Sequence, residues 1–299
     1  MCNKLFPLIL FFILIFSHSK GQSIQTLKRE IYEILQDKDA TVGVAISGQN
    51  PKDTVTINGN VHLPMQSVYK YHLALAVLDQ VDKEKLSLEE KITLTKKDLD
   101  NNLWSPIREK YTEGTDLTLA EIIEYTVASS DNVGCDLLFK LVGGPKTVED
   151  FLHNSGISNV AVRYDEEIQQ ANWDLQYENW TTAKASNKAL KVFFENANGQ
   201  LSKESHAFIW KTMKSSWTGA NCIRGHLPKN TVIAHKTGHS GKNKDGLTGA
   251  QNDVGIVFLP NGTYFYLSVL VSDSKEDSKV NEKIIADIAK LSWDYFNHK

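Results

Sequence analysis

Cysteine is scarce in this chain, with 3 in 299 residues. Cys2 precedes the first apolar run, which leaves Cys135 and Cys222 for everything after it. Two such residues in so long a chain do not make a disulfide scaffold. Spacing alone does not say whether they meet, and the reading adopted is two buried free thiols. Proline is rare as well, at 7 residues, and there is no low-complexity segment or internal repeat. Charge of one sign is not concentrated anywhere: 33 Lys and Arg stand against 36 Asp and Glu. That balance excludes the basic footprint of a nucleic-acid binder. The histidines number 9 and show no ligand spacing, so neither a metal nor any other cofactor is expected. What remains is a chain with 41% hydrophobic residues, enough for a substantial core in one large or two small domains.

Long apolar runs are also lacking, with one exception at the start. Met1-Cys2-Asn3-Lys4 carries a positive charge, Leu5 to Phe16 is almost wholly apolar, and Ser17-His18-Ser19-Lys20-Gly21 turns small and polar. This is the shape of a secretory signal peptide over residues 1–21, too short for a comfortable membrane span. An uncleaved anchor is the alternative. Cys2 lies before the run, so it is not a lipid-accepting cysteine of the kind that follows one. Cleavage removes Lys4 and Lys20 and moves the net charge from −3 to about −5. The mature chain is therefore expected to be periplasmic and monomeric, with no stable membrane association and no nucleic-acid partner.

Periodicity predicts a first amphipathic helix over Thr26–Leu35, then two strands, Thr41–Ser47 and Asp53–Asn58, joined by the turn Gly48-Gln49-Asn50-Pro51. From residue 65 to about 215 the pattern is mainly helical: the Ser67 segment, Thr118–Val127, Asp131–Leu141, Gly144–Ser155 and Thr182–Glu195. A short extended excursion runs from Leu86 to Leu94. Strand patterns return at Val232–Lys236, Asp253–Phe258 and Tyr264–Val271, before a last helix near Asp277–Asn297. The economical fold is α/β+α: one antiparallel five-stranded sheet flanked by the terminal helices, with an all-helical subdomain inserted. The expected division is an α/β part at about 22–62 and 216–299 and a helical part at about 63–215. The boundary between them is a natural cleft.

Ser67 falls at that cleft, in Pro64-Met65-Gln66-Ser67-Val68-Tyr69-Lys70. At i and i+3 on a helix, Ser67 and Lys70 share a face and their reactive atoms can touch. A serine hydroxyl needs a neighbouring base, and burial equips lysine for that by lowering its pKa. Ser-x-x-Lys is weak alone, since it also occurs at Ser17–Lys20 and Ser272–Lys275, and serine is an ordinary helix cap. Ser130-Asp131-Asn132 follows one predicted helix, and Lys236-Thr237-Gly238 ends a predicted strand. Each alone reads as a cap or a strand exit. Together and in this order they are the combined signature of class A β-lactamases and penicillin-binding proteins.

The mature chain resembles class A serine β-lactamases over essentially its whole length. Pro64-Met65-Gln66-Ser67-Val68-Tyr69-Lys70, Gln176-Tyr177-Glu178-Asn179-Trp180, His235-Lys236-Thr237-Gly238 and Asn252-Asp253-Val254-Gly255 are similar to the PER/VEB-type extended-spectrum branch. The resemblance implies a serine β-lactamase/DD-peptidase-like fold and a β-lactam substrate. Ser67 would be the nucleophile, Lys70 a proton acceptor or its electrostatic support, and Ser130 the proton donor to the departing lactam nitrogen. Asn132 would hold the side-chain amide. Lys236 and Thr237, with Gly238 behind them, would face the substrate carboxylate. The N–H groups of Ser67 and His239 would form the oxyanion hole, the His239 imidazole pointing to solvent.

Hydrolysis of the acyl-enzyme needs a carboxylate to activate water. The candidates lie in Arg163-Tyr164-Asp165-Glu166-Glu167-Ile168-Gln169-Gln170, placed as an Ω loop. Counting back from Asn179-Trp180 selects Glu166, with Glu167 as the rival. No proline follows the glutamate and no arginine stands two residues before it, so the loop lacks the family's usual ion pair with position 179. Trp104 resembles the aromatic gate on the substrate's path, and Ser240 stands where an open edge admits bulky cephalosporins. Arg224 matches a common family position without a clear reach to the carboxylate. Two alternatives stay open: a penicillin-binding DD-peptidase acting on cell-wall peptides, and an inactive periplasmic binder on the same scaffold.

Overall fold

The computed structural model describes residues 23–100 and 102–299. The expected signal peptide, with Cys2, lies outside them. The chain begins with α1 (Ile24–Leu35), β1 (Thr41–Gly48), β2 (Thr54–Ile57) and the two-residue β3 (Leu63–Pro64). A single 3-10 turn, Gln66–Val68, leads into α2 (Tyr69–Asp82). Then come β4 (Lys91–Thr95), α3 (Lys96–Leu99), α4 (Pro106–Lys110), β5 (Gly114–Thr118), α5 (Leu119–Ala128), α6 (Asn132–Val142) and α7 (Pro145–Asn154). The Ω-loop region holds α8 (Glu166–Ala171) and ends at β6 (Trp180–Thr181). The last elements are α9 (Ala183–Glu195), α10 (Lys203–Lys214), β7 (Ile233–His239), β8 (Thr248–Phe258), β9 (Tyr264–Ser274) and α11 (Ser278–Asn297).

Both ends of the chain build one five-stranded sheet in the order β2-β1-β9-β8-β7, antiparallel at every pairing. Alternation along the strands decides which residues face which layer. Val42, Val44 and Ile46 of β1 join Phe265, Leu267, Val269 and Val271 of β9 against α1 and α11, where Leu27, Ile31, Ile284 and Ile288 complete that core. Ala45, Tyr266, Leu270, Val254 and Ile256 face the other way, into a larger core shared with the helical block. The axis of that block is α2, buried continuously from Tyr69 to Leu78. A helix apolar all round belongs inside a domain and makes a rigid post.

The strands β8 and β9 extend beyond their predicted ends, to Thr248 and Ser274. The added residues, such as Gly249, Gln251 and Asn252, are small or polar yet buried, so they carry no strand signal. The extended excursion is real but shifted: β4 pairs with β5 as a separate ribbon. The helices α3, α4, α8 and α10 were not singled out by periodicity. The caps are legible locally: Thr118 and Glu121 form a capping box on α5, and Asp131 caps α6 by accepting the Gly134 N–H at 2.8 Å.

Candidate active site

The turn bearing Ser67 is held in an unusual backbone conformation. Gln66 has φ +48°, the left-handed region that a non-glycine residue enters at a cost. Its buried side chain offsets this, donating to Gln176 Oε1 at 2.9 Å and accepting from Gln169 Nε2 at 3.1 Å. Asn252 grips the preceding carbonyls of Pro64 and Met65 at 2.8 and 3.1 Å. From the other side, β7 presses against the turn at Gly238. A Cβ there would stand 2.4 Å from the Met65 carbonyl oxygen, so only glycine fits. Ser67 and His239 both line a cavity of about 410 Å³, which Ser130, Asn132, Thr237 and Trp104 also line.

Beneath this cavity lie charged groups with no exposure. Lys70 Nζ is 3.1 Å from Glu166 Oε1, with side-chain exposures of 0% and 1%. The ammonium also donates to the Ser130 carbonyl at 2.9 Å and to Asn132 Oδ1. Ser67 Oγ is not among its hydrogen-bond partners, although the i,i+3 spacing lets the two side chains approach. The reason is local: Ser67 sits on the 3-10 turn ahead of the helix, and the ammonium turns to the carboxylate that neutralises it. Burial works against the charge of Glu166, but the Lys70 ammonium, aided by Tyr69 and Gln170, outweighs it and holds the carboxyl below its usual range. Glu166 is thus an ionised carboxylate beside the Ser67 turn.

Ser130 bridges the two buried lysines. Its carbonyl faces Lys70, and its Oγ accepts from Lys236 Nζ at 3.0 Å. It too is left-handed, at φ +58°. Burial, and then the charge of Lys70, push Lys236 down to about 7, against the opposite pull of Asp253 and Glu166. Asp131, fully buried, ties this corner together by accepting from Ser105 Oγ and the Ile107 N–H, both at 2.8 Å. Trp104 is fixed by the same corner. Its carbonyl accepts the Asn132 N–H at 3.0 Å and its indole N–H donates to the Ser129 carbonyl at 3.2 Å, leaving the ring 50% exposed at the mouth.

The loop carrying Glu166 is held by two buried polar side chains, Asn179 and Asp136. Asn179 accepts the N–H groups of Arg163 and Tyr164 at 2.7 and 3.0 Å and donates to the Tyr164 carbonyl and Gln169 Oε1 at 2.8 and 2.7 Å. Every hydrogen-bonding site of that buried amide is used, and no ion pair is required. Asp136, one turn beyond Asn132 on the same face of α6, accepts the N–H groups of Glu166 and Glu167 at 2.7 and 3.0 Å. The i,i+4 spacing from Asn132 is the signal that points to it. Glu167 itself faces a separate cavity, behind the loop, with Asp98, Lys140 and Asp136.

The remaining expected residues fall at the rim. His239 is exposed at the cavity edge, its Nδ1 accepting the Gly241 N–H at 3.2 Å. Ser240 lines a small adjoining cleft with Gln66, Gln170 and Trp173, its Oγ bonded to the Gly241 carbonyl and the Ala250 N–H. Arg224 does not line the cavity. Residues missed by sequence reasoning include Gln170, whose amide reaches Glu166 Oε2 at 3.3 Å, and Thr218, whose hydroxyl is 2.7 Å from that of Thr237. Cys135 and Cys222 are both free and buried. Among the described residues, Glu149, Asp150 and His153 bring ligand atoms within 4.8 Å of one another, a spacing the sequence reading overlooked. These donors are already engaged, by Arg163, Lys146 and the Val160 carbonyl respectively.

Taken together, the cavity presents the Ser67 and Ser130 hydroxyls, and beneath it lie a buried lysine–carboxylate pair and a second buried lysine, Lys236, bonded to Ser130. A model of the Beta-lactamase enzyme family matches residues 26–296. Beta-lactamase VEB-1 of Pseudomonas aeruginosa is 48% identical over 292 residues, covering 98% of this chain and 96% of that protein. Extended-spectrum beta-lactamase PER-1 of the same organism is 42% identical over 271 residues, covering 90% and 87%. The crystal structure of TLA-3 extended-spectrum beta-lactamase superposes with a TM-score of 0.89 at 47% identity, covering 92% of this chain and all of that one. A beta-lactamase structure from Chitinophaga pinensis gives 0.87 at 48% identity, covering 91% and 99%.

Proposed function

Since this chain belongs to the class A β-lactamase family, we propose that it hydrolyses penicillins and cephalosporins through a serine acyl-enzyme and so confers antibiotic resistance. The observation that carries the reading is the buried Lys70–Glu166 pair, 3.1 Å apart, beside the Ser67 turn. Ser67 Oγ attacks the lactam carbonyl, and its proton passes to the Lys70–Glu166 pair. The N–H groups of Ser67 and His239 receive the developing oxyanion. Ser130 hands a proton to the lactam nitrogen as the ring opens, and Lys236 stands ready to restore it. Asn132 takes the side-chain amide, and Lys236 with Thr237 takes the carboxylate. Glu166, ionised and close to the ester, then activates the water that releases the product. Trp104 gates the entrance, and Ser240 leaves the edge of β7 open for bulky cephalosporins, in keeping with an extended spectrum.

The catalytic unit of this reading spans residues 22–299, its helical part about 63–215 inserted between α/β parts at about 22–62 and 216–299. Among the described residues no helix is long and apolar enough to cross a membrane. Export to the periplasm as a monomer, after cleavage of residues 1–21, completes the proposal. Nitrocefin turnover by the purified protein tests it. Sustained turnover supports the hydrolase, a single stoichiometric burst points to a DD-peptidase, and no reaction points to an inactive binder.

A further inference from the structure

Trp217 stands in the loop after α10, and its ring is 59% exposed. An indole this open is normally free to turn, yet this one is anchored. Its N–H donates to Ser129 Oγ at 3.1 Å, and its backbone N–H reaches the Ala128 carbonyl at 3.4 Å. Ser129 is also where Trp104 is fastened, through its carbonyl. Both tryptophans are therefore fastened to Ser129, the residue before Ser130. Trp217 is the one next to Thr218, which lines the cavity and bonds to Thr237. That is the end of the cavity given above to the substrate carboxylate. Glu282 of α11 lines the same cavity. This carboxylate is anchored by Asn221 Nδ2, which donates to it at 3.1 Å.

In a cephalosporin the C3 substituent is attached to the ring carbon next to the one bearing the carboxylate. With the carboxylate on Lys236 and Thr237, that substituent would leave the ring near Thr218, beside which Trp217 stands, in the cavity that Glu282 also lines. An open indole face and a carboxylate are the groups that attract an organic cation. We propose that Trp217, with Glu282, is a specificity-determining residue that favours cephalosporins carrying a cationic C3 arm. The inference rests on the hydrolase reading above.

Cephaloridine and cephalothin share one acyl side chain and differ at C3, pyridiniomethyl against acetoxymethyl, so the ratio of their kcat/KM values reads the rim alone. Trp217→Ala should lower the cephaloridine-to-cephalothin ratio about three- to ten-fold, Glu282→Gln should lower it similarly, and Trp217→Phe should retain most of it. General damage to the site cancels in the ratio. A parent enzyme that turns over both drugs, with a ratio that neither substitution moves, overturns the inference while leaving the hydrolase intact. A purified protein that turns over neither drug overturns the hydrolase reading and the inference with it.

Discussion

Asp136 holds the backbone of Glu166: its Oδ1 accepts the Glu166 N–H at 2.7 Å, and its Oδ2 accepts that of Glu167 at 3.0 Å. The carboxylate is buried, and burial, reinforced by the charges of Glu166 and Asp165, pushes it up to about 7 despite those two donors. A folded-state pKa raised above the ordinary value means that its stabilising contribution is complete below the ordinary carboxylate range and is lost as pH rises through about 7. Asp136→Asn stays uncharged at every pH and removes the titration. Its stability relative to the parent should therefore rise between pH 5 and pH 8, by roughly 1–4 kcal/mol. Its amide accepts only one of the two N–H groups, so deacylation should slow. Urea unfolding at the two pH values checks the sign. A stability difference that does not change with pH, or changes the other way, rules out this account of Asp136.

Ser67 is expected to carry the covalent intermediate. A penicillin should add to it alone, and Ser67→Ala should lose both adduct and turnover, at a cost of several orders of magnitude in rate. Tryptic mass mapping distinguishes Ser67 from Ser130, which faces the same cavity. An adduct on Ser130 contradicts the assignment.

Lys236 is expected to set the alkaline limit of the reaction. Its pKa in the free protein, lowered to about 7 by burial and Lys70, means that the ammonium needed for a substrate carboxylate is lost as pH rises through that region. The kcat/KM profile, which reports the free enzyme, should therefore fall above about pH 7. The kcat profile should fall at higher pH, because a bound carboxylate favours the charged amine. Lys236→Arg, always charged, should remove this limb between pH 7 and 9 even though its larger head lowers the plateau. An alkaline limb that persists unchanged in the arginine variant assigns it to another group.

What the sequence made legible was short-range. The alternation of Val42, Val44 and Ile46 is a period-2 signal, and the Thr118–Glu121 capping box and the Asp131 cap lie within four residues of what they hold. The long-range ties were not legible. Asp136 and Glu166 are 30 residues apart, Gln66 and Gln176 are 110 apart, and no local pattern announces either pair. Gln251 and Asn252 are buried polar residues in β8, where hydrophobic alternation has nothing to read. Trp217 escaped because an exposed aromatic has no periodic partner, and its importance comes only from the anchor on Ser129. Ser67–Lys70 spacing was legible, but the partner that turns the ammonium away from the serine, Glu166, is supplied by a distant loop.

Glu166→Gln tests the deacylation step and the loop register together. The side chain keeps its size, and Lys70 keeps the Ser130 carbonyl and Asn132 as partners, so the fold should survive the loss of the buried carboxylate. The variant should acylate at Ser67 and then stall, because removing a general base costs about 10²–10⁴-fold. Steady hydrolysis becomes a stoichiometric burst with an accumulated adduct visible by mass. Glu167→Gln is the control. Glu167 opens onto the cavity behind the loop and contributes only its backbone N–H to Asp136, so most of its turnover should remain. If Glu167→Gln traps the adduct and Glu166→Gln turns over normally, Glu167 is the base and Glu166 serves only to neutralise Lys70. If both variants keep full turnover, the hydrolytic water is activated elsewhere, and the buried pair does not do the chemistry assigned to it.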